Sequence, residues 1–163
     1  MDSHLRYAVT TAVLALLLSS TADGVLAEGP ERPFRGRSQE EAVASCAGGF
    51  GALYEGVGNA THLGLFTDSI CTVTTGGAFP RFNFVGEGSV TAANGDQLFV
   101  TAHGVTDVSN DPCVAQGVLT VVGGTGRFAN ASGTTQVTAL LPWIGQYTCG
   151  PEQTTTSVGR IRY

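Results

Sequence analysis

The chain has 163 residues, and its 13 acidic side chains face only eight basic ones, all arginine, for a net charge of −5. With 13% of its residues charged, it argues against binding nucleic acid through a basic face and against attraction to anionic lipid. Its length fits one domain with a real core.

The N-terminus reads as an export signal. Arg6 gives a short positive start, and an uncharged, mostly apolar run from Tyr7 ends in Leu16-Leu17-Leu18. Small and polar residues follow, with cleavage sites after Ala22 or Ala27. That is the order of a secretory signal peptide. The run is short for a bilayer span, which needs roughly 20 residues; a buried helix or membrane anchor is the alternative. Residues 1–27 are thus expected to be removed, leaving 28–163 as a single domain, secreted to the cell exterior or the periplasm. No later run is apolar for long enough to hold the mature form in a membrane.

Residues 28–41 are rich in Pro, Gly, Glu and Arg and read as a lead-in with a short strand at Phe34 to Arg37. Glu40 to Ala47 reads as one helical turn or the start of a strand. Beyond it helical periodicity disappears. Strand patterns follow at Phe50 to Tyr54, Leu63 to Thr75, Phe79 to Ala92, Gln97 to Val108, Cys113 to Val122, Thr134 to Leu141 and Thr154 to Tyr163. Turn chemistry separates most of them: Gly76-Gly77, Asn94-Gly95-Asp96, Asn110-Asp111-Pro112, Gly123-Gly124 and Gly150-Pro151. Seven or eight short strands at these spacings make an all-β barrel or sandwich. Short connections favour antiparallel neighbours, and closure into a barrel removes both sheet edges. A closed barrel of about eight strands holds side chains alone or one small ligand.

Four cysteines, Cys46, Cys71, Cys113 and Cys149, suit an oxidised, exported domain and allow three pairings. Hairpin register favours Cys46–Cys71, whose midpoint falls at the turn-like Gly58-Asn59. It favours Cys113–Cys149 likewise, with its midpoint at Ala131. A metal site is not expected, because Cys-x-x-Cys and close Cys/His pairs are absent. No cofactor is expected either: there is no Walker loop, no phosphate cradle leading into a helix and no Gly-x-Ser-x-Gly elbow. Two sequons, at Asn59 and Asn130, matter if the host glycosylates.

The most informative segment is Val121 to Gly133, VVGGTGRFANASG. Two valines end a strand, three glycines in four residues bend the backbone, and Arg127 and Phe128 follow. This segment resembles the Gly-Gly-Thr-Gly-x-Phe turn of plant dirigent proteins and the related turn of allene oxide cyclases. Gly58 to Gly64 and Thr91 to Asp96 are similar to recurring segments of bacterial secreted proteins with an allene-oxide-cyclase-like barrel. The resemblance covers most of residues 56–133 and implies a calycin-like, eight-stranded antiparallel barrel, with a homotrimer by analogy to the plant relatives. Those relatives steer the stereochemistry of reactive, mostly apolar small molecules, dirigent proteins in phenoxy-radical coupling and the cyclases in closing a fatty-acid epoxide. None of their catalytic residues is carried over onto this chain.

The residues themselves offer candidates. For catalysis these are His62, Asp96, His103 and Arg127. Imidazoles titrate near neutral pH, and Asp96 follows a tight-turn pair at what would be a barrel rim. The plainer expectation is that Asp96 caps its turn or pairs with Arg127, and that His62 bonds a nearby carbonyl. His103 shares a face with Phe99 and Thr101, which is lumen or outer surface. For ligand contact the candidates are Tyr54, Phe99 and Trp143, with Tyr147 and Glu55 behind them; ordinary core packing is the default for the aromatic ones.

Three functions compete. A barrel that binds a small apolar or aromatic molecule needs an open lumen. A cyclase-like or dirigent-like enzyme needs in addition an ionisable group inside it with a shifted pKa. A structural or interaction module needs a core packed solid.

Overall fold

The computed structural model describes residues 29–49 and 51–163, so the expected signal peptide and Phe50 lie outside the described residues. The strands are β1 (Arg32–Cys46), β2 (Gly51–Ala60), β3 (Gly64–Ala78), β4 (Arg81–Ala92), β5 (Gln97–Asp107), β6 (Cys113–Gly124), β7 (Ser132–Leu141), β8 (Trp143–Gly145), β9 (Thr148–Cys149) and β10 (Glu152–Arg162). Eight close into one barrel in the order β1-β10-β7-β6-β5-β4-β3-β2, while β8 and β9 form a separate hairpin. Every neighbouring pair is antiparallel. Of the all-β barrel or sandwich expected from strand spacing, the closed barrel is the fold.

Alternation explains which way the strands face. Along β5, Leu98 and Val100 are buried, whereas Phe99, Thr101 and His103 are exposed. Closure depends on β1, which pairs with β10 on one side and β2 on the other. Here the structure extends the short strand expected at Phe34 to Arg37 and, of the two readings of Glu40 to Ala47, takes the strand rather than the helical turn: residues 32–46 are a single strand. Its inward residues include Ser38 and Glu40, so polar side chains disguised the alternation. A second correction concerns Gly58-Asn59, which is strand and not turn. β2 runs on to the buried Ala60, and the chain reverses over residues 61–63, with His62 at φ 72°. The Arg35 amide donates to Thr61 Oγ1 at 2.9 Å and holds that reversal against β1.

The two ends of the barrel differ. At one end the turn after β6 folds inward and buries Phe128 completely. Phe128 packs with Phe34, Leu63, Leu98, Val121 and Ile161. Its ring meets Tyr163 edge-on at 5.1 Å, and the Arg127 guanidinium lies 4.6 Å from its centroid. Gly126, at φ +54°, takes a conformation that a β-carbon disfavours. The glycine-rich segment is therefore a plug.

Both disulfides sit at the other end, paired Cys46–Cys71 and Cys113–Cys149, each with Cα atoms 6.0 Å apart. The pairing is the expected one, but neither joins hairpin partners. Cys46 is opposite Gly51, and Cys71 opposite Leu53, so the first bridge crosses β2. Cys113 is opposite Leu141, and its bridge reaches past β7 to tie down the β8–β9 hairpin, which strand periodicity did not reveal.

Candidate functional site

The barrel encloses a cavity of about 510 Å³, within the range of small-molecule pockets. Phe34, Leu98, Val121 and Ile161 form its floor above the plug; Ile70, Phe82, Phe84, Leu119 and Val137 line its walls. It extends to Gly49, Thr74 and Gly150 at the end that carries the disulfides. The apolar faces of the alternating strands built this lining.

One row breaks the apolar pattern. Register places Gln153 of β10 opposite Glu40 of β1, Glu40 opposite Gly56 of β2, and Gly56 opposite Asp68 of β3. Next in the row are Val90 and Leu98. Glu40 and Asp68 are each 8% exposed, and both line the cavity. Gly56 lets them converge. A β-carbon there would stand 2.5 Å from Glu40 Cγ and 2.7 Å from Asp68 Oδ1, so any other residue would push between them.

The two acids are satisfied unequally. Ser38 Oγ donates to Glu40 Oε1, and Gln153 Nε2 donates to Glu40 Oε2. Asp68 Oδ1 is buried without a hydrogen-bond partner, as are Thr135 Oγ1 and Thr155 Oγ1. Burial, and then the charge of Glu40, raise the Asp68 carboxyl from 3.8 to about 7. The same causes, burial first, raise the Tyr54 phenol above its usual value. Desolvation and a like charge both disfavour an anion, which accounts for the direction.

The other residues singled out from sequence are dispersed. Tyr54 lines the cavity two residues from Gly56. Phe99 is 40% exposed on the outer wall, because β5 presents Leu98 and Val100 inward. His103 lies on the same outer face, in a groove with Asn83, Val105 and Gln116. His62 Nε2 is 3.0 Å from the Pro33 carbonyl, outside the plugged end. Asp96 and Arg127 meet there too, at 3.6 Å, and Asn94 Nδ2 donates to Asp96 at 2.7 Å. Trp143 is an exposed part of the β8–β9 hairpin, and Tyr147 leaves the lumen to pack edge-on against Phe79 at 4.7 Å. Glu55 is on the outer face of β2. Asn59 and Asn130 are both exposed.

The residues that sequence reading missed are Glu40, Asp68 and their neighbours Ser38, Gln153, Thr135 and Thr155. A signal for Asp68 existed: it alternates in phase with Phe66 and Ile70, so an inward Phe and Ile imply an inward Asp. Among the described residues no group of three or more His, Cys, Asp or Glu is arranged to hold a metal ion.

Fold and cavity together define an antiparallel barrel with a ligand-sized, mostly apolar lumen. The chain is similar to the structure of a pterocarpan synthase dirigent protein, with a TM-score of 0.46 and 16% sequence identity over 82% of this chain and 86% of that one. No protein-family model and no curated protein matches it.

Proposed function

We propose that this is a secreted barrel that binds a small apolar or aromatic molecule in its lumen. The observation that carries the reading is the unfilled cavity of about 510 Å³ with aromatic and aliphatic walls. A solid-core interaction module would have closed that space with larger side chains. Two disulfides add support for secretion, since such bridges persist in oxidising compartments.

The test is to titrate the purified protein with N-phenyl-1-naphthylamine, an apolar fluorophore, and to look by native mass spectrometry for a molecule retained from the producing cell. Saturable binding is expected at one site. Ala102→Phe, which fills the lumen from β5, is expected to weaken it at least tenfold with the strand content unchanged by circular dichroism. Absence of saturable binding in the unaltered protein overturns the reading.

A second reading, a cyclase-like or dirigent-like enzyme, is favoured by the Glu40–Asp68 pair. A carboxyl that titrates near 7 both gives and takes protons efficiently at neutral pH. Under this reading Asp68 is the proton-transfer group and the walls hold the reacting molecule in one shape. A retained molecule recovered chemically unchanged after incubation with the protein would leave binding as the function.

A further inference from the structure

The lumen has an electrostatic character that an apolar pocket does not require. We infer that its ligand is a cation with an apolar body, an amine whose ammonium group sits between Glu40 and Asp68 over Gly56. The inference rests on the lumen being the binding site.

Three observations carry it. First, the cavity lining holds two carboxylates, and none of the described residues lining it is Arg, Lys or His. Two acids buried together without a counter-charge are costly, because each must leave water and each repels the other. Second, Asp68 Oδ1 has no partner although Asp68 is only 8% exposed. Glu40, by contrast, is oriented by Ser38 and Gln153. The row thus consists of one carboxylate positioned through both oxygens and one with a free oxygen, with bare backbone between them. Third, Thr155 Oγ1, on β10 opposite Ser38, and Thr135 Oγ1, on β7, are buried without partners in the lining of the same cavity. These are further acceptors within a small space.

An ammonium group brings three donors and a positive charge. It satisfies the free oxygen of Asp68 and offsets both carboxylates at once. Tyr54 and Phe66 stand two residues from Gly56 and Asp68 on the same inward faces, and aromatic faces attract a desolvated cation. A neutral alcohol offers one donor and no charge, so it leaves the repulsion in place.

The arrangement predicts a pH dependence. Asp68 lies on β3, and the titratable groups facing it from its neighbours are Glu40 and Tyr54; β4 contributes only Val90 and glycine at that level. A bound cation favours the ionised acid. With the Asp68 carboxyl raised to about 7, cation binding releases a proton below that pH and weakens as pH falls from 8 to 5.

The experiment is displacement of bound N-phenyl-1-naphthylamine by 2-phenylethylamine, 2-phenylethanol and ethylbenzene, at pH 8 and at pH 5. The amine is expected to displace at least tenfold more effectively than the alcohol at pH 8 and to lose most of that advantage at pH 5. Asp68→Asn is expected to reduce the amine-to-alcohol ratio toward one, with Glu40→Gln as the second variant should the first fail to fold. Equal competition by amine and alcohol at pH 8 overturns the inference and leaves the lumen reading intact. Failure of the fluorophore itself to bind overturns both.

Discussion

The loops outside the plugged end and the lumen of the barrel use the same residue types in opposite ways. At the plugged end Asp96 is supplied with partners: Asn94 donates to it, Arg127 approaches it, and Thr125 and Gln97 clamp the adjacent turns through 2.8 and 2.9 Å hydrogen bonds. Around the row in the lumen Asp68 has a buried free oxygen and a neighbouring carboxylate. The rim gives a third case. Ser109 hydrogen bonds, and then Arg81, hold the Asp107 carboxyl down at about 2. Paired acids at loops fix geometry. An unpaired acid kept inside an apolar cavity costs stability, a cost that the proposed ligand would offset.

That contrast can be broken from either side. The largest effect is expected at the plug. Phe128→Ala removes a fully buried ring and should cost about 3–5 kcal/mol in chemical denaturation. An unchanged denaturation midpoint would show that the plug does not hold the floor. Replacing Cys113 and Cys149 together with alanine should cost about 2–4 kcal/mol, and the loosened β8–β9 hairpin should make cleavage near residue 146 by protease faster.

A pH experiment sharpens the other side of the comparison. The folded Asp68 carboxyl titrates at about 7 and the unfolded one at 3.8. Between those values the folded state binds the extra proton, so stability falls as pH rises through that window and levels off above 7. The loss is on the order of a few kcal/mol. Asp68→Asn should flatten this part of the curve, and the same slope in the variant would move the cause elsewhere. The smallest effect is at the loop pair. Arg127→Ala should cost about 0.2–1 kcal/mol, as exposed ion pairs do, and should leave fluorophore binding unaltered.

Legibility followed chemistry. Asp96 and Arg127 are close in the chain to the turns they join, so local rules were enough to expect their pairing. The disulfide pairing was reached through hairpin midpoints, yet the bridges cross a strand and capture a hairpin instead. Phe99 and Leu98 are adjacent apolar residues, and alternation alone says they oppose each other without saying which is inside. Glu40 stood at the start of a segment read as either a helical turn or a strand, and with polar Ser38 and Glu40 inward the pattern did not join it to the strand at Phe34.

The sequence by itself determined most of the barrel strands, the antiparallel neighbours and the bend at Gly123 to Gly126. These arise from period-two patterning and from glycine, which act over a few residues. Only the tertiary structure decided that β1 closes the barrel, that the faces carrying Leu98 and Asp68 turn inward, and that Glu40 and Asp68 meet over Gly56. Those facts depend on register between strands far apart in the chain, and a shift of one residue would turn every side chain of a strand to the other face.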